Sequence, residues 1–221
     1  KVDVFYLRHQ TIPCMGIELI QHDGGHRRLS SKTISYGFGT NESQEKILKD
    51  PDGNPFVLLP RGVPDGDQHV FVPVNDLEAS AEFYKRTFKL EEFEPRHQWS
   101  HLYERLYGKG HRGVVLRFAH CLSKNWNACL HLVKTNKVAT GHFLNDLGFS
   151  CFCFLIDAHE YARYEKTINN MVGPIAAQKN VGGKIEEFNI GFIADPNGFP
   201  IEFYLPGSFM NRKEMVLVNY E

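Results

Sequence analysis

Three polar side chains interrupt otherwise apolar, strand-like stretches: His69 heads HVFVPV, His131 sits in CLHLV, and Glu202 lies in PIEFY. Imidazole and carboxylate groups suit a borderline or hard divalent ion such as Zn, Mn, Ni or Fe. Each residue also has a plainer reading. His69 serves equally well as a strand-start histidine with a satisfied hydrogen bond, and His131 as a packed core residue. Glu202, flanked by Ile201 and Phe203, points to whichever face is not the apolar one; if buried there it needs a partner, and if solvated it is a surface residue. His97, His101, His111, His120, His142 and His159 fall mostly in loop-like or helix-end segments, where solvated histidine is common. Gly182 and Gly183 read as a hairpin, because no strand-to-helix transition surrounds them as a phosphate loop requires. Trp99, Trp126 and the phenylalanines read as core or pocket wall, since no basic stripe accompanies them.

The elements that must position these groups belong to an ordinary globular chain. Its 221 residues hold one large domain or two modest ones. A formal net charge of -1 provides no field to gather nucleic acid or an anionic membrane. No apolar run approaches the roughly 20 residues of a membrane span, which predicts a soluble protein. The five cysteines, Cys14, Cys121, Cys129, Cys151 and Cys153, are odd in number, and Cys151 and Cys153 alternate with aromatics as buried strand residues do. This points to an intracellular, reducing compartment, either cytoplasm or organelle matrix. The start at Lys1, without a methionine, fits a fragment or a processed product.

Internal repetition carries the most information. DPDGNPFVLL at residues 50 to 59 matches DPNGFPIEFY at 195 to 204. Both are Asp-Pro turns with a positive-φ glycine that feed a strand. Upstream, GIELI at 16 to 20 pairs with CLHLV at 129 to 133, and TISYGF at 33 to 38 pairs with FSCFCFLI at 149 to 156. The spacings differ: Glu18 and Asp50 are 32 positions apart, whereas His131 and Asp195 are 64 apart. The second copy has room for a helix over 158 to 171, with Tyr161, Tyr164, Ile168 and Met171 on one face. The first has only GTNESQ between Phe38 and Glu45, so residues of a crossover helix are missing there. From His69 the pattern predicts a strand, a cap at Asn75 or Asp76, and a helix burying Leu77, Ser80, Ala81, Tyr84 and Phe88. Strands then follow over 103 to 107, 114 to 119 and 128 to 133, giving a βαβββ module.

HVFVPVNDLEASAEFYKRTFKL and DPNGFPIEFYLPG resemble the opening and closing signatures of vicinal oxygen chelate domains, the superfamily of glyoxalases and extradiol dioxygenases. The resemblance covers residues 69 to 206 in full and much of 12 to 60. It implies an α+β fold in which paired βαβββ modules form a half-open barrel, with tandem glyoxalase-like domains of which the first is incomplete. The boundaries are a partial domain over 1–60, a linker over 61–68, a complete domain over 69–207 and a tail over 208–221.

In that family metal ligands project from the first, fourth, fifth and eighth strands. Carried over, these positions fall on His69, on His131 where many members have glutamate, within 149 to 151 where no histidine stands, and on Glu202. The resemblance therefore implies a divalent-metal site of His69, His131 and Glu202, with Cys151 an outside candidate. Val57, at the last-strand position of the first copy, cannot ligate. The implied activity is metal-dependent lyase or dioxygenase chemistry on a small substrate with vicinal oxygens. The rival is a non-catalytic interaction or scaffold subunit, as a homo-oligomer or within a larger assembly; a third reading is a protein that binds a small ligand without turnover.

Overall fold

The computed structural model describes residues 2–8, 16–22, 27–28, 34–51, 53–60, 68–92, 94, 99–118, 128–136, 146–147, 152–155, 172–181 and 184–206. In chain order these form β1 (Val2–Arg8), β2 (Gly16–His22), β3 (Arg27–Arg28), β4 (Ser35–Gly39), β5 (Lys46–Lys49) and β6 (Pro55–Leu59). There follow β7 (Gln68–Val74), α1 (Leu77–Phe88), β8 (Leu90–Glu92), α2 (Ser100–Tyr107), β9 (Gly113–Phe118) and β10 (Ala128–Lys134). The chain continues with β11 (Asp146–Leu147), β12 (Phe152–Leu155), β13 (Val172–Val181), β14 (Lys184–Ala194) and β15 (Pro200–Pro206). No helix among the described residues is long and apolar enough to cross a membrane.

The chain forms two compact units, residues 27–150 with 195–199, and residues 1–26 with 151–194 and 200–221. In the second of these, β1 and β2 make an antiparallel pair, and a four-stranded sheet runs β12-β15-β14-β13. The other unit is built on a seven-stranded sheet of order β5-β6-β4-β7-β10-β9-β8. One ordering recurs. In β7 to β10 the first strand lies parallel to the fourth, the fourth antiparallel to the third, and the third antiparallel to the second. The set β12 to β15 repeats it. In the segment from β4 to β6 it recurs without helix or second strand: β4 lies parallel to β6 and β6 antiparallel to β5.

Local chemistry explains the elements of the seven-stranded unit. Asp76 caps α1, its Oδ1 accepting from the Ala79 N–H at 2.9 Å, and Lys89 ends the helix in the left-handed region at φ 58°. Leu77, Ser80, Ala81, Tyr84 and Phe88 are buried, as their spacing predicts. The connection expected to lack a helix does so: residues 40–45 pass unbroken into β5, and Thr40 anchors them by donating its N–H to Leu59 O at 2.8 Å. The helix expected over 158 to 171 lies outside the described residues.

One expectation is corrected. Residues 103 to 107, read as a strand, belong to α2, and the outer strand of the module is β8. Leu102, Tyr103, Leu106 and Tyr107 recur at helical spacing; Leu102, Tyr103 and Tyr107 are buried, and Leu106 packs partly against the same core. The aromatic β-propensity of the tyrosines misleads, because burial of that one helical face decides the conformation.

The turn over 195 to 198 docks on α1. Asn197 donates through Nδ2 to Ser80 Oγ at 3.1 Å and accepts at Oδ1 from the Asn75 N–H at 3.0 Å. Asp195 Oδ1 accepts from the Asn197 and Phe199 N–H groups, both at 2.8 Å, while Tyr84 donates to its Oδ2 at 3.3 Å. Burial raises the Asp195 carboxyl above its ordinary 3.8, and the hydrogen bonds it accepts offset this only in part. Burial, and then the neighbouring Asp195, push Tyr84 well above 10.

Asn197→Ala removes a buried partner from both Ser80 and the Asn75 N–H, and a loss of about 1–3 kcal/mol in urea unfolding is expected. A carboxyl whose folded-state pKa is raised holds its proton longer when folded. Its contribution to stability is therefore complete below 3.8 and declines as pH rises past that value. Urea midpoints measured upward from pH 3.5 should carry this slope, and Asp195→Asn should flatten it.

Candidate functional site

On the face of the seven-stranded sheet covered by α2, Val57, Leu59, Phe71, Cys129, Val115 and Val133 form a core with Trp99, Leu102, Tyr103 and Tyr107. His69 and His131 lie within it. Strand alternation places 69 with 71 on β7, and 129, 131 and 133 together on β10. The parallel register sets Cys129 beside His69 and His131 beside Phe71. The imidazoles therefore sit one step apart on adjacent strands.

Their side chains meet: His69 Nδ1 lies 2.8 Å from His131 Nε2, and His131 Nδ1 lies 2.9 Å from Tyr103 Oη. This makes a continuous chain from β7 through β10 to α2. Two arrangements of hydrogens satisfy it. Either Tyr103 donates to His131, which donates to His69, or every donor runs the opposite way. His69 is 1 % exposed and His131 0 %. Phe71 stacks on His131 with ring centres 4.5 Å apart, and Trp99 lies 4.7 Å from His69 and 4.6 Å from His131. Aromatic rings thus enclose the pair on several sides.

The other half of the sheet contributes no ligand. β4 runs antiparallel to β7 with Gly37 opposite His69, and a Cβ on Gly37 would lie 2.9 Å from Phe71 Cε2 and 3.2 Å from His69 Cβ. A side chain is excluded there. Val57 on β6 is fully buried in the same core. Glu202 lies half-buried on β15, opposite Phe192 and Cys153, and belongs to the other compact unit. The positions 149 to 151, including Cys151, lie outside the described residues. Among the described residues, no group of three or more His, Cys, Asp or Glu side chains is arranged to hold a metal ion.

Nitrogens bound to one ion at 2.0–2.1 Å stand about 2.8–3.0 Å apart at a right angle and about 3.3–3.4 Å apart in a tetrahedron, so the 2.8 Å observed matches the first in distance alone. The same separation is an ordinary hydrogen bond.

Trp99 and Phe71 line the pair as the core or pocket-wall aromatics that the sequence predicts. Tyr103 is the neighbour that sequence reasoning missed, and the spacing 102, 103, 106 and 107 is the signal that places it on a helix. Two histidines given no role hold α2 in place. His101 Nε2 lies 2.9 Å from Glu45 Oε2, a carboxylate that also binds Arg105, and the His111 ring contacts Lys134 O at 2.7 Å and Tyr107 O at 2.8 Å. His97, His120, His142 and His159 lie outside the described residues.

Tyr103→Phe keeps the ring and removes the hydroxyl, leaving His131 Nδ1 without this partner. It should lower stability by about 1–3 kcal/mol. Gly113→Ala should weaken the same wall, because its Cβ would fall 2.7 Å from the Tyr103 ring and 2.9 Å from Leu132 O. Chemical denaturation of each variant at neutral pH checks both.

No family model and no curated protein sequence matches the chain. Solved structures do. A glyoxalase I variant from Zea mays aligns over 92% of this chain and 78% of its own, with TM-score 0.53 and 14% identity. A glyoxalase family protein from Enterococcus faecalis covers 62% of this chain and 94% of its own, with TM-score 0.43 and 16% identity. A glyoxalase/dioxygenase from Nostoc punctiforme covers 63% and 90%, with TM-score 0.43 and 18% identity. The likeness to the maize protein and the recurring strand order together give the architecture: an α+β chain with the vicinal oxygen chelate fold.

Proposed function

We propose that this chain is a non-catalytic glyoxalase-fold subunit that works by binding another macromolecule. One observation carries the reading. In the sheet formed by β4 to β10, the α2 side is filled by the protein's own Trp99, Tyr103 and Tyr107, and the two strand positions facing the histidine pair hold Gly37 and Val57. A substrate with vicinal oxygens needs open space beside its ligands. Here that space holds a packed aromatic core, and the imidazoles are used in joining β7, β10 and α2.

A second reading is favoured by the separation of His69 and His131. In separation they match two cis ligands, as a metal-dependent lyase or dioxygenase acting on a small substrate would need. Zn, Mn, Ni or Fe bound there would act as a Lewis acid towards neighbouring substrate oxygens. His69 and His131 would orient the ion, Tyr103 would fix the His131 ring, and the aromatic wall would keep water out.

Elemental analysis of protein from cells supplied with all four metals separates the two. The first reading expects far less than one metal per chain, and a melting temperature indifferent to chelator. Stoichiometric metal that disappears in His69→Ala and His131→Ala would sink it and establish the second.

A further inference from the structure

Among the described residues, the recurring strand order leaves one place in the seven-stranded sheet unfilled. Beside β9, the third strand of its set, lies β8; beside β14 lies β13; both pairs are antiparallel. β5 is the third strand of its own set, and among the described residues it ends the sheet. We propose that the outer edge of β5 is a docking strand for an extended acidic segment of a partner protein, which adds antiparallel as an eighth strand.

The main chain is suitably oriented. Antiparallel partners alternate between pairs that exchange both hydrogen bonds and pairs that exchange none. Lys49 stands opposite Pro55, which has no N–H, so this is a non-bonded pair, and the alternation makes Ile47–Val57 another. Ile47 and Lys49 therefore turn their N–H and C=O groups outward. The Asp50 N–H donating to Asn54 O at 3.0 Å fits the same phase.

Side chains specify the occupant. Lys46, Leu48 and Lys49 are all exposed, and Leu48, at 49 %, is the one large apolar side chain exposed among the described residues. Lys46 pairs with Glu42 at 2.6 Å, but both side chains are well exposed, so the pair holds it weakly. Lysines commonly guard an open edge. A guard gains nothing from an exposed leucine between them, whereas a binding strand does.

The filled slot beside β9 shows the matching chemistry. In β8 Glu91 stands opposite Arg117. By the same logic the residues facing Lys49, Leu48, Ile47 and Lys46 are, in the partner's direction, acidic, apolar, apolar and acidic. Such strand addition draws affinity from main-chain bonds and selectivity from alternate side chains.

This inference rests on the reading of the chain as a binding subunit, but peptide affinity and metal content are separate readouts, so either can fail alone. The probe is a fluorescein-labelled peptide with the core Glu-Val-Ile-Glu between Gly-Ser spacers, titrated with the full chain by anisotropy. A Lys-Val-Ile-Lys peptide should bind about tenfold more weakly, and K46E/K49E should reverse that preference, which also shows the variant folded. N-methylation of the peptide isoleucine, which faces Ile47, should abolish binding. N-methylation of its valine, whose N–H points away, should leave binding intact. Three results overturn the proposal: no difference between the acidic and basic peptides, or no binding of either; indifference to both methylations, which signals charge attraction alone; or self-association of the free chain that K46E/K49E disperses, which assigns the edge to a second copy.

Discussion

The antiparallel pairing of β4 with β7 is the constraint on which the seven-stranded unit depends. It joins a three-stranded set to a four-stranded one and turns two incomplete surfaces into one sheet. The pairing is tight at Gly37, where Phe71 and His69 occupy the volume a side chain would need. Without that join, Val57 and Leu59 on one side and Phe71 and His69 on the other would lose their shared core. The fold thus places its smallest residue where two sets of strands must approach most closely.

Burying two imidazoles beside that seam is costly unless each polar atom finds a partner. The chain from His69 through His131 to Tyr103 gives the atoms facing one another such partners. It also sets directions: exchanging His131 for an apolar residue would leave both a ring nitrogen and a hydroxyl to find new partners. The groups act as one unit, and substitutions among them will not be additive. Tyr107 adds a parallel tie from α2, donating its hydroxyl to Phe71 O at 2.9 Å.

Much of this architecture was readable because it is local or repeated. Asp76 as a cap, the buried face of α1, and the two Asp-Pro-X-Gly turns are each specified within a few residues. The missing crossover helix showed as a spacing deficit between Glu18 and Asp50. Less local features escaped. Residues 103 to 107 contain two tyrosines, whose strand preference competes with a helical period, and only burial against Phe71 and His131 decides between them. The alignment of Gly37 with His69 has no sequence signal, since register between distant strands is settled by packing on both faces. Trp99 was legible as core or pocket wall, and only its closing over His69 and His131 depends on both features together.

The docked turn at 195 to 199 bears on how this unit is made. Ser80 and Asn197, which share a hydrogen bond, are 117 residues apart. At ordinary synthesis rates of about 5–20 residues per second, α1 would emerge from the ribosome on the order of ten seconds before its clasp. During that interval the Ser80 and Tyr84 hydroxyls and the apolar surface around them lack their final cover. This unit of the nascent chain therefore cannot close from its own contiguous stretch alone and must wait for a late segment, an interval in which a chaperone would find α1 open.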